Sequence, residues 1–270
     1  MTARTTLAAL AAALLLAGTG TRLAAQQQDT TNGDTFDWTG QVPAGAWLRI
    51  ENLNGPIDVE AAAGSDASVH AVKQWRRGDP KDVRFAMHRN ADGGVTICAL
   101  WGDEATCDEH GEHSHGDHGL RHNDVSVHFT VKLPKGVRVS ANTVNGALSV
   151  SGAEAEVRAH TVNGRIEAAT SRGPVDASTV NGSIRVHMDA LGGAGDLRYE
   201  TVNGSITVEL PASLGADVEM ETVNGSLRSD FPLTLDGRID PHHIRARIGA
   251  GGLRLRLSTV NGSVEIRKLS

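Results

Sequence analysis

Residues 161–186 read TVNGRIEAATSRGPVDASTVNGSIRV, a unit of 18 residues that ends by beginning again. Thr-Val-Asn-Gly occurs six times in the chain, with its asparagine at Asn145, Asn163, Asn181, Asn203, Asn224 and Asn261. A degenerate seventh copy runs Asn52-Leu53-Asn54-Gly55. The spacings between the six are 18, 18, 22, 21 and 37 residues, and the last is long enough for two units. Self-similarity at a period of this size is the mark of a repeat architecture.

The flanks of each copy alternate. Val137, Val139 and Ala141 lead in phase to Thr143, and Leu253, Leu255 and Leu257 lead to Thr259. After the glycine the parity switches, as in Leu148 and Val150, Ile184 and Val186, Ile206 and Val208, or Val264 and Ile266. Period-2 alternation means strands with one buried face. The switch places a bend at Asn-Gly, where both residue types tolerate positive φ. The expected fold is therefore all-β: a single-stranded, β-helix-like β-solenoid of 18–22-residue rungs with Thr-Val-Asn-Gly corners. An antiparallel hairpin array is the alternative, because Asn-Gly also makes two-residue hairpin loops. Stacking explains why Thr and Val recur, since equivalent residues of successive rungs lie about 4.8 Å apart. Asparagine amides could then bond up one column, while Val144, Val162, Val180, Val202 and Val223 stack in an apolar one.

Composition narrows the function. Aromatics make up 3% of the chain, too few for the ring-lined pocket of a large cofactor. A net charge of −6 gives no basic face for nucleic acid. Residues 1–25, MTARTTLAALAAALLLAGTGTRLAA, have the pattern of a secretory signal: Arg4, an apolar run of 11 residues from Leu7 to Ala17, and small residues before Gln26. The run is too short to span a membrane. Losing Arg4 and Arg22 takes the basic count from 26 to 24 against 32 acidic residues, so the mature charge falls to −8. The expected organisation is a signal peptide (1–25), a flexible mature N-terminus (26–36) and one β-solenoid domain (37–270) with an insertion at 102–124. No apolar tail follows Lys268, and the mature protein is expected to be exported to the periplasm, cell surface or medium, without a membrane span.

The segment from Phe129 to Val139 (FTVKLPKGVRV), the Thr-Val-Asn-Gly rungs, Ser229-Asp-Phe-Pro-Leu and Ile248-Gly-Ala-Gly-Gly before a final rung resemble a bacterial family, the exported "putative adhesin" domain of unknown function. The similarity covers roughly residues 35–270. It implies a β-solenoid at the cell envelope or surface; it maps no binding residue and says nothing of the insertion.

That insertion, GDEATCDEHGEHSHGDHGLRHND, holds His110, His113, His115, His118 and His122 among seven carboxylates. Imidazole and carboxylate suit zinc, nickel or copper, so a weakly bound divalent metal is one reading. A pH response is another, and a solvated acidic excursion is the third. There is no HExxH and no pair of CxxC units to fix a geometry. Cys98 and Cys107 flank the start of the loop and in an exported protein are expected to pair. The four tryptophans, Trp38, Trp47, Trp75 and Trp101, precede the main repeats and are expected to cap the core. Residues 238–270 carry seven basic and two acidic residues. In them Arg245, Arg247, Arg254 and Arg256 alternate on strand faces, either as a polyanion patch or as ordinary edge charges. No nucleophile elbow, phosphate loop or dinucleotide fingerprint occurs. The expected function is non-enzymatic: adhesion, scaffolding or envelope organisation, with an envelope polysaccharide or another surface polymer or protein as partner. A metal- or pH-sensing role for loop 103–124 is the alternative, and no tightly held cofactor is expected.

Overall fold

A computed structural model describes residues 29–113, 123–191, 196–236 and 240–269. The segment read as a signal peptide lies outside them. The chain forms a β-solenoid flattened into two facing sheets, each regular rung giving one strand to each sheet. The hairpin-array alternative is excluded, because successive rungs pair parallel.

Short edge strands β1 (Asp29–Thr31) and β2 (Thr35–Gly40) precede the first rung, β3 (Trp47–Glu51) and β4 (Ile57–Ala61). Strands β5 (Ala67–Gln74), β6 (Val83–Arg89) and β7 (Val95–Trp101) then fold back over the end of the stack. The insertion forms a small hairpin, β8 (Thr106–Asp108) and β9 (Gly111–His113), and the chain re-enters with β10 (Ser126–Leu133). Regular rungs follow: β11 (Arg138–Asn142) with β12 (Leu148–Ala153), β13 (Val157–His160) with β14 (Ile166–Thr170), β15 (Val175–Ser178) with β16 (Ile184–Met188), and β17 (Leu197–Glu200) with β18 (Ile206–Leu210). The last third holds β19 (Ala216–Asn224), β20 (Leu227–Ser229), β21 (Thr234–Leu235), β22 (His243–Ile248), β23 (Leu253–Asn261) and β24 (Val264–Lys268).

The larger sheet runs β1-β6-β7-β3-β11-β13-β15-β17-β23-β19-β22-β21 and the smaller β2-β5-β10-β4-β12-β14-β16-β18-β24-β20. From β3–β4 to β17–β18 the rungs that carry an Asn-Gly corner stack in chain order, whereas β7 and β10, later in the chain, lie on the outer side of β3 and β4. The C-terminal rung, β23–β24, sits inside the stack between β17–β18 and β19–β20. The 37-residue interval does not contain two rungs: it holds the end of one rung and β21–β22, which pair antiparallel along the outer edge of β19.

Inward side chains line up by register. Ile57, Leu148, Ile166, Ile184, Ile206 and Val264 form one buried column. Ile50, Ala141, Ala159, Ala177, Tyr199 and Leu257 form the facing one. A rung buries about four such side chains, each contributing roughly 1.5–3 kcal/mol. The N-terminal end is closed by phenylalanines: Phe85 packs against Phe36 and, edge-on, against Phe129 at centroid distances of 5.5 and 6.2 Å. Trp101 is buried with them and Trp38 half-buried, as expected of caps. Trp75 is exposed, and Trp47 points outward beneath the guanidiniums of Arg138 and Arg158, each 4.5 Å from its ring. Neither of these two caps the core.

The corners give three of the four repeated residues a physical role. Each threonine is buried, and its hydroxyl donates to the glycine carbonyl of the adjacent rung: Thr161 to Gly146, Thr179 to Gly164, Thr201 to Gly182, Thr259 to Gly204 and Thr222 to Gly262, at 2.8–3.0 Å. The asparagine amides bond in series, Asn224 to Asn261, then Asn203, Asn181, Asn163 and Asn145, at 2.8–2.9 Å. Asn54 instead donates to the carbonyl of Val125, the first residue after the insertion. The corner glycines are not there for positive φ, since among the corners only Gly55 has it. They are there for space: a Cβ on Gly182 would lie 1.9 Å from the Gly164 carbonyl oxygen, and the other full copies give 1.8–2.0 Å. Valine stacks at the surface rather than in the core, with Val162, Val180, Val202, Val260 and Val223 38–57% exposed.

These roles rank three substitutions. Gly182→Ala should cost more than about 3 kcal/mol, because backbone cannot move aside as a side chain could. Asn181→Ala, which breaks two ladder bonds, should cost about 1–2 kcal/mol. Thr179→Val, which removes one hydroxyl bond, should cost about 1 kcal/mol. Urea denaturation of the three variants checks the order.

Candidate functional surface

The insertion replaces a corner. Strand β7 lies in the larger sheet and β10 in the smaller, so the described parts of the insertion, 102–113 and 123–124, leave and enter where another rung would have its Thr-Val-Asn-Gly. Both ends are tied down. Cys98 of β7 and Cys107 of β8 are joined by a disulfide. Asp124 accepts backbone N–H bonds from Arg76, Arg77 and Gly78 at 2.8–3.2 Å, which hold its carboxyl below the usual range. Within the hairpin, Asp108 accepts the backbone N–H of His110 at 2.7 Å and meets the Nε2 of His113 at 3.1 Å. His115, His118 and His122 lie outside the described residues. Among the described residues no group of three or more histidine, cysteine, aspartate or glutamate side chains is placed to hold a metal.

The hairpin covers an acid that the sequence did not single out. Glu51 points outward from β3, and β9 crosses it so closely that a Cβ on Gly111 would lie 3.2 Å from Glu51 Oε1. Asn142 Nδ2 donates to that oxygen at 2.6 Å. Burial raises the Glu51 carboxyl to about 7, against the opposing pull of Asn142 and Arg49. Only the outward parity of Glu51 was legible beforehand; nothing in its neighbourhood announces a lid supplied from sixty residues downstream.

The basic residues of the C-terminal part do converge, on the outward face of the larger sheet. Arg198, Arg256, Glu219 and Arg245 are register partners across four strands, and Arg254, Asp217 and Arg247 form the next row. With Asp196 and the edge segment Thr234–Asp236 they line an open groove of about 720 Å³. Its five guanidiniums face four carboxylates, so the surface on which the four arginines meet is one of mixed charge. Arg245 meets Glu219 at 3.0 Å, Arg247 meets Asp217 at 3.1 Å, and Arg256 reaches Glu219 and Glu200 at 3.8 and 4.0 Å. Arg254 is in no ion pair among the described residues. The Arg247 hydrogen bond, then the Gly252 N–H, hold Asp217 below its ordinary range. Partial burial pushes Glu219 up, but Arg245, Arg256 and His243 outweigh it and keep it low. The row continues beyond the groove: Arg49, Ser140, Arg158, Asp176, Arg198, Arg256, Glu219 and Arg245 follow one register across eight strands.

A family model, Toastrack DUF4097, matches residues 89–267, well over half of the chain. The chain belongs to the Toastrack DUF4097 family. The match starts at the end of β6, so the Toastrack region takes in the insertion, every full corner and the groove. No curated protein sequence matches this Toastrack chain. Among solved structures it is similar to a "putative cell adhesion protein" from Clostridium sporogenes, with 8% identity, a TM-score of 0.45, and 87% of this chain and 100% of that one covered. It is also similar to a "putative adhesin" from Bacteroides fragilis, with 10% identity, a TM-score of 0.25, and 87% and 97% covered. No helix among the described residues is long and apolar enough to cross a membrane.

Glu51 makes stability depend on pH in a defined direction. Its carboxyl is near 7 folded and near 4.5 in the free chain, so the folded state holds the extra proton between those values. Stability should therefore fall as pH rises from about 5 to about 8. Glu51→Gln should remove that decline, worth roughly 2 kcal/mol for a half-buried group after solvent screening. Denaturation of both proteins at the two pH values tests it.

Proposed function

We propose that this chain is an exported, non-enzymatic β-solenoid acting in adhesion, scaffolding or cell-envelope organisation, and that it holds an extended acidic polymer, such as an envelope polysaccharide, along the outward face of its larger sheet. The observation that carries the reading is the row of arginines in one register from Arg49 to Arg245. Neighbouring strands are about 4.8 Å apart. Arg49 and Arg158, Arg158 and Arg198, and Arg256 and Arg245 are each two strands apart, about 9.6 Å, a spacing comparable to one disaccharide of an extended glycan. Arginine suits the task because its planar fork carries five donors. Arg247 is bonded to its carboxylate through Nε alone, so donors remain for a ligand. At Arg158, Arg198, Arg256 and Arg245 a ligand competes with a resident carboxylate, so each contact is weak and avidity along the row supplies affinity.

The groove's electrostatics support a binding role over catalysis. Glycoside hydrolysis needs a carboxyl kept protonated as a general acid, whereas Asp217 and Glu219, the two groove carboxylates paired with arginine, are held below their ordinary range. The raised carboxyl, Glu51, sits on β3 two residues from Arg49 at the far end of the row, where it is bonded to Asn142 and covered by the β8–β9 hairpin, four strands from β17 of the groove.

The test is titration of the mature protein with a polyuronate by calorimetry. Binding should weaken with salt, and the Arg254→Glu/Arg256→Glu double variant should lose at least about tenfold in affinity. Arg165→Glu, which lies off this row, should bind as the parent does. Unchanged affinity in the double variant, or shortening of the polymer, would overturn the proposal.

A further inference from the structure

The stacking order carries a consequence independent of any polymer ligand. Strands β22 and β23 are consecutive in the chain but not neighbours in the sheet: β19 lies between them, antiparallel to one and parallel to the other. They form a hairpin split around β19, and its turn is Gly249-Ala250-Gly251-Gly252. That turn passes the start of β19 closely enough that a Cβ on Gly215 would lie 2.9 Å from the Gly251 carbonyl. Three of its four residues are glycines at φ 57, 75 and 117°.

The rung carried beyond this turn is held on both sides by the same corner chemistry. Asn261 donates to Asn203 and accepts from Asn224. Thr259 donates to the Gly204 carbonyl, and the Gly262 carbonyl accepts from Thr222. Backbone bonds run from Asn261 N to Val202 O, from Gly204 N to Asn261 O and from Gly262 N to Asn224 O at 2.8–3.0 Å. The slot between β17–β18 and β19–β20 is thus specified by Leu-x-Leu-x-Leu-x-Thr-Val-Asn-Gly, a pattern that every copy of the chain carries at residues 253–262.

We infer that residues 253–269 are an exchangeable rung, and that two copies of this chain pair by seating each other's C-terminal rung in this slot. Every bond listed above for the rung is reproduced when the rung comes from a second chain; only the conformation of residues 249–252 differs. The balance between closed monomer and exchanged dimer is therefore set by the strain of that turn and by protein concentration. The left-handed turn requires glycine, so a β-branched residue at Gly252 disfavours the closed form. An extended linker accepts one. Reciprocal exchange closes at two chains and leaves no open slot.

The experiment uses full-length protein with its native disulfide. Thr207→Cys is placed in one batch and Glu265→Cys in another, because these residues are register partners on β18 and β24. A control pair, Glu167→Cys and Arg185→Cys, sits on β14 and β16, outside the exchanged rung. Batches are unfolded, mixed, refolded over a range of concentrations and oxidised without reductant. The exchange pair should give a covalent heterodimer on a non-reducing gel. Its yield should rise with concentration and at least several-fold when Gly252→Val is added to both chains. The control pair should stay monomeric. Absence of heterodimer from the exchange pair with the native turn at every concentration would overturn the inference, whatever Gly252→Val does. So would equal cross-linking of the control pair.

Discussion

Everything in this molecule depends on how closely one corner lies on the next. A glycine carbonyl from one rung occupies the space that a side chain on the neighbouring glycine would need, within 1.8–2.0 Å of where its Cβ would be. The next threonine hydroxyl then reaches that carbonyl from inside, and the asparagine amides close into a series outside. Each contact is modest, but all three recur at every full corner. They fix the register of both strands of a rung at once, because a slip of one residue would turn the buried face outward. A core of alanine, valine and isoleucine with few rings then suffices, since alignment is supplied at the edge.

Most of this was legible in the repeat itself. Period, corner and parity switch gave the parallel stack, and the logic of a ladder gave the asparagine column. The role of glycine was misread, because a turn and a close approach select the same residue type for different reasons. The repeated valines read as an apolar column, and they do stack, but at the surface. The stacking order was not legible: Asn224 and Asn261 head identical corners, and nothing local tells which of them follows Asn203. That is settled by β21 and β22, whose antiparallel pairing claims the outer edge of β19 and leaves the inner slot for β23.

The candidate site shows the same division. Alternation placed Arg245, Arg247, Arg254 and Arg256 on strand faces, and the structure gathers them in one groove. Their carboxylate partners come from other rungs, and only the stack brings them together. Asp217 and Glu219 turn a basic-looking segment into a mixed-charge surface. Glu51 could not have been found from its neighbours, since its cover is the β8–β9 hairpin. That hairpin belongs to the insertion at a corner position, and Asn54 bonds to the carbonyl of Val125, the first residue after the insertion. The insertion is thus grafted onto the spine of the fold and leaves the rungs beyond it undisturbed.

The most direct test of the account is native-state hydrogen exchange at the corners. The amides of Asn163, Asn181, Asn203 and Asn261 belong to residues whose side chains are exposed, in segments that resemble surface turns. If the corners are the spine, these amides should be among the last to exchange, together and only through global unfolding. Exchange of the corner amides at the rate of ordinary exposed loops, ahead of the strands they join, would contradict it.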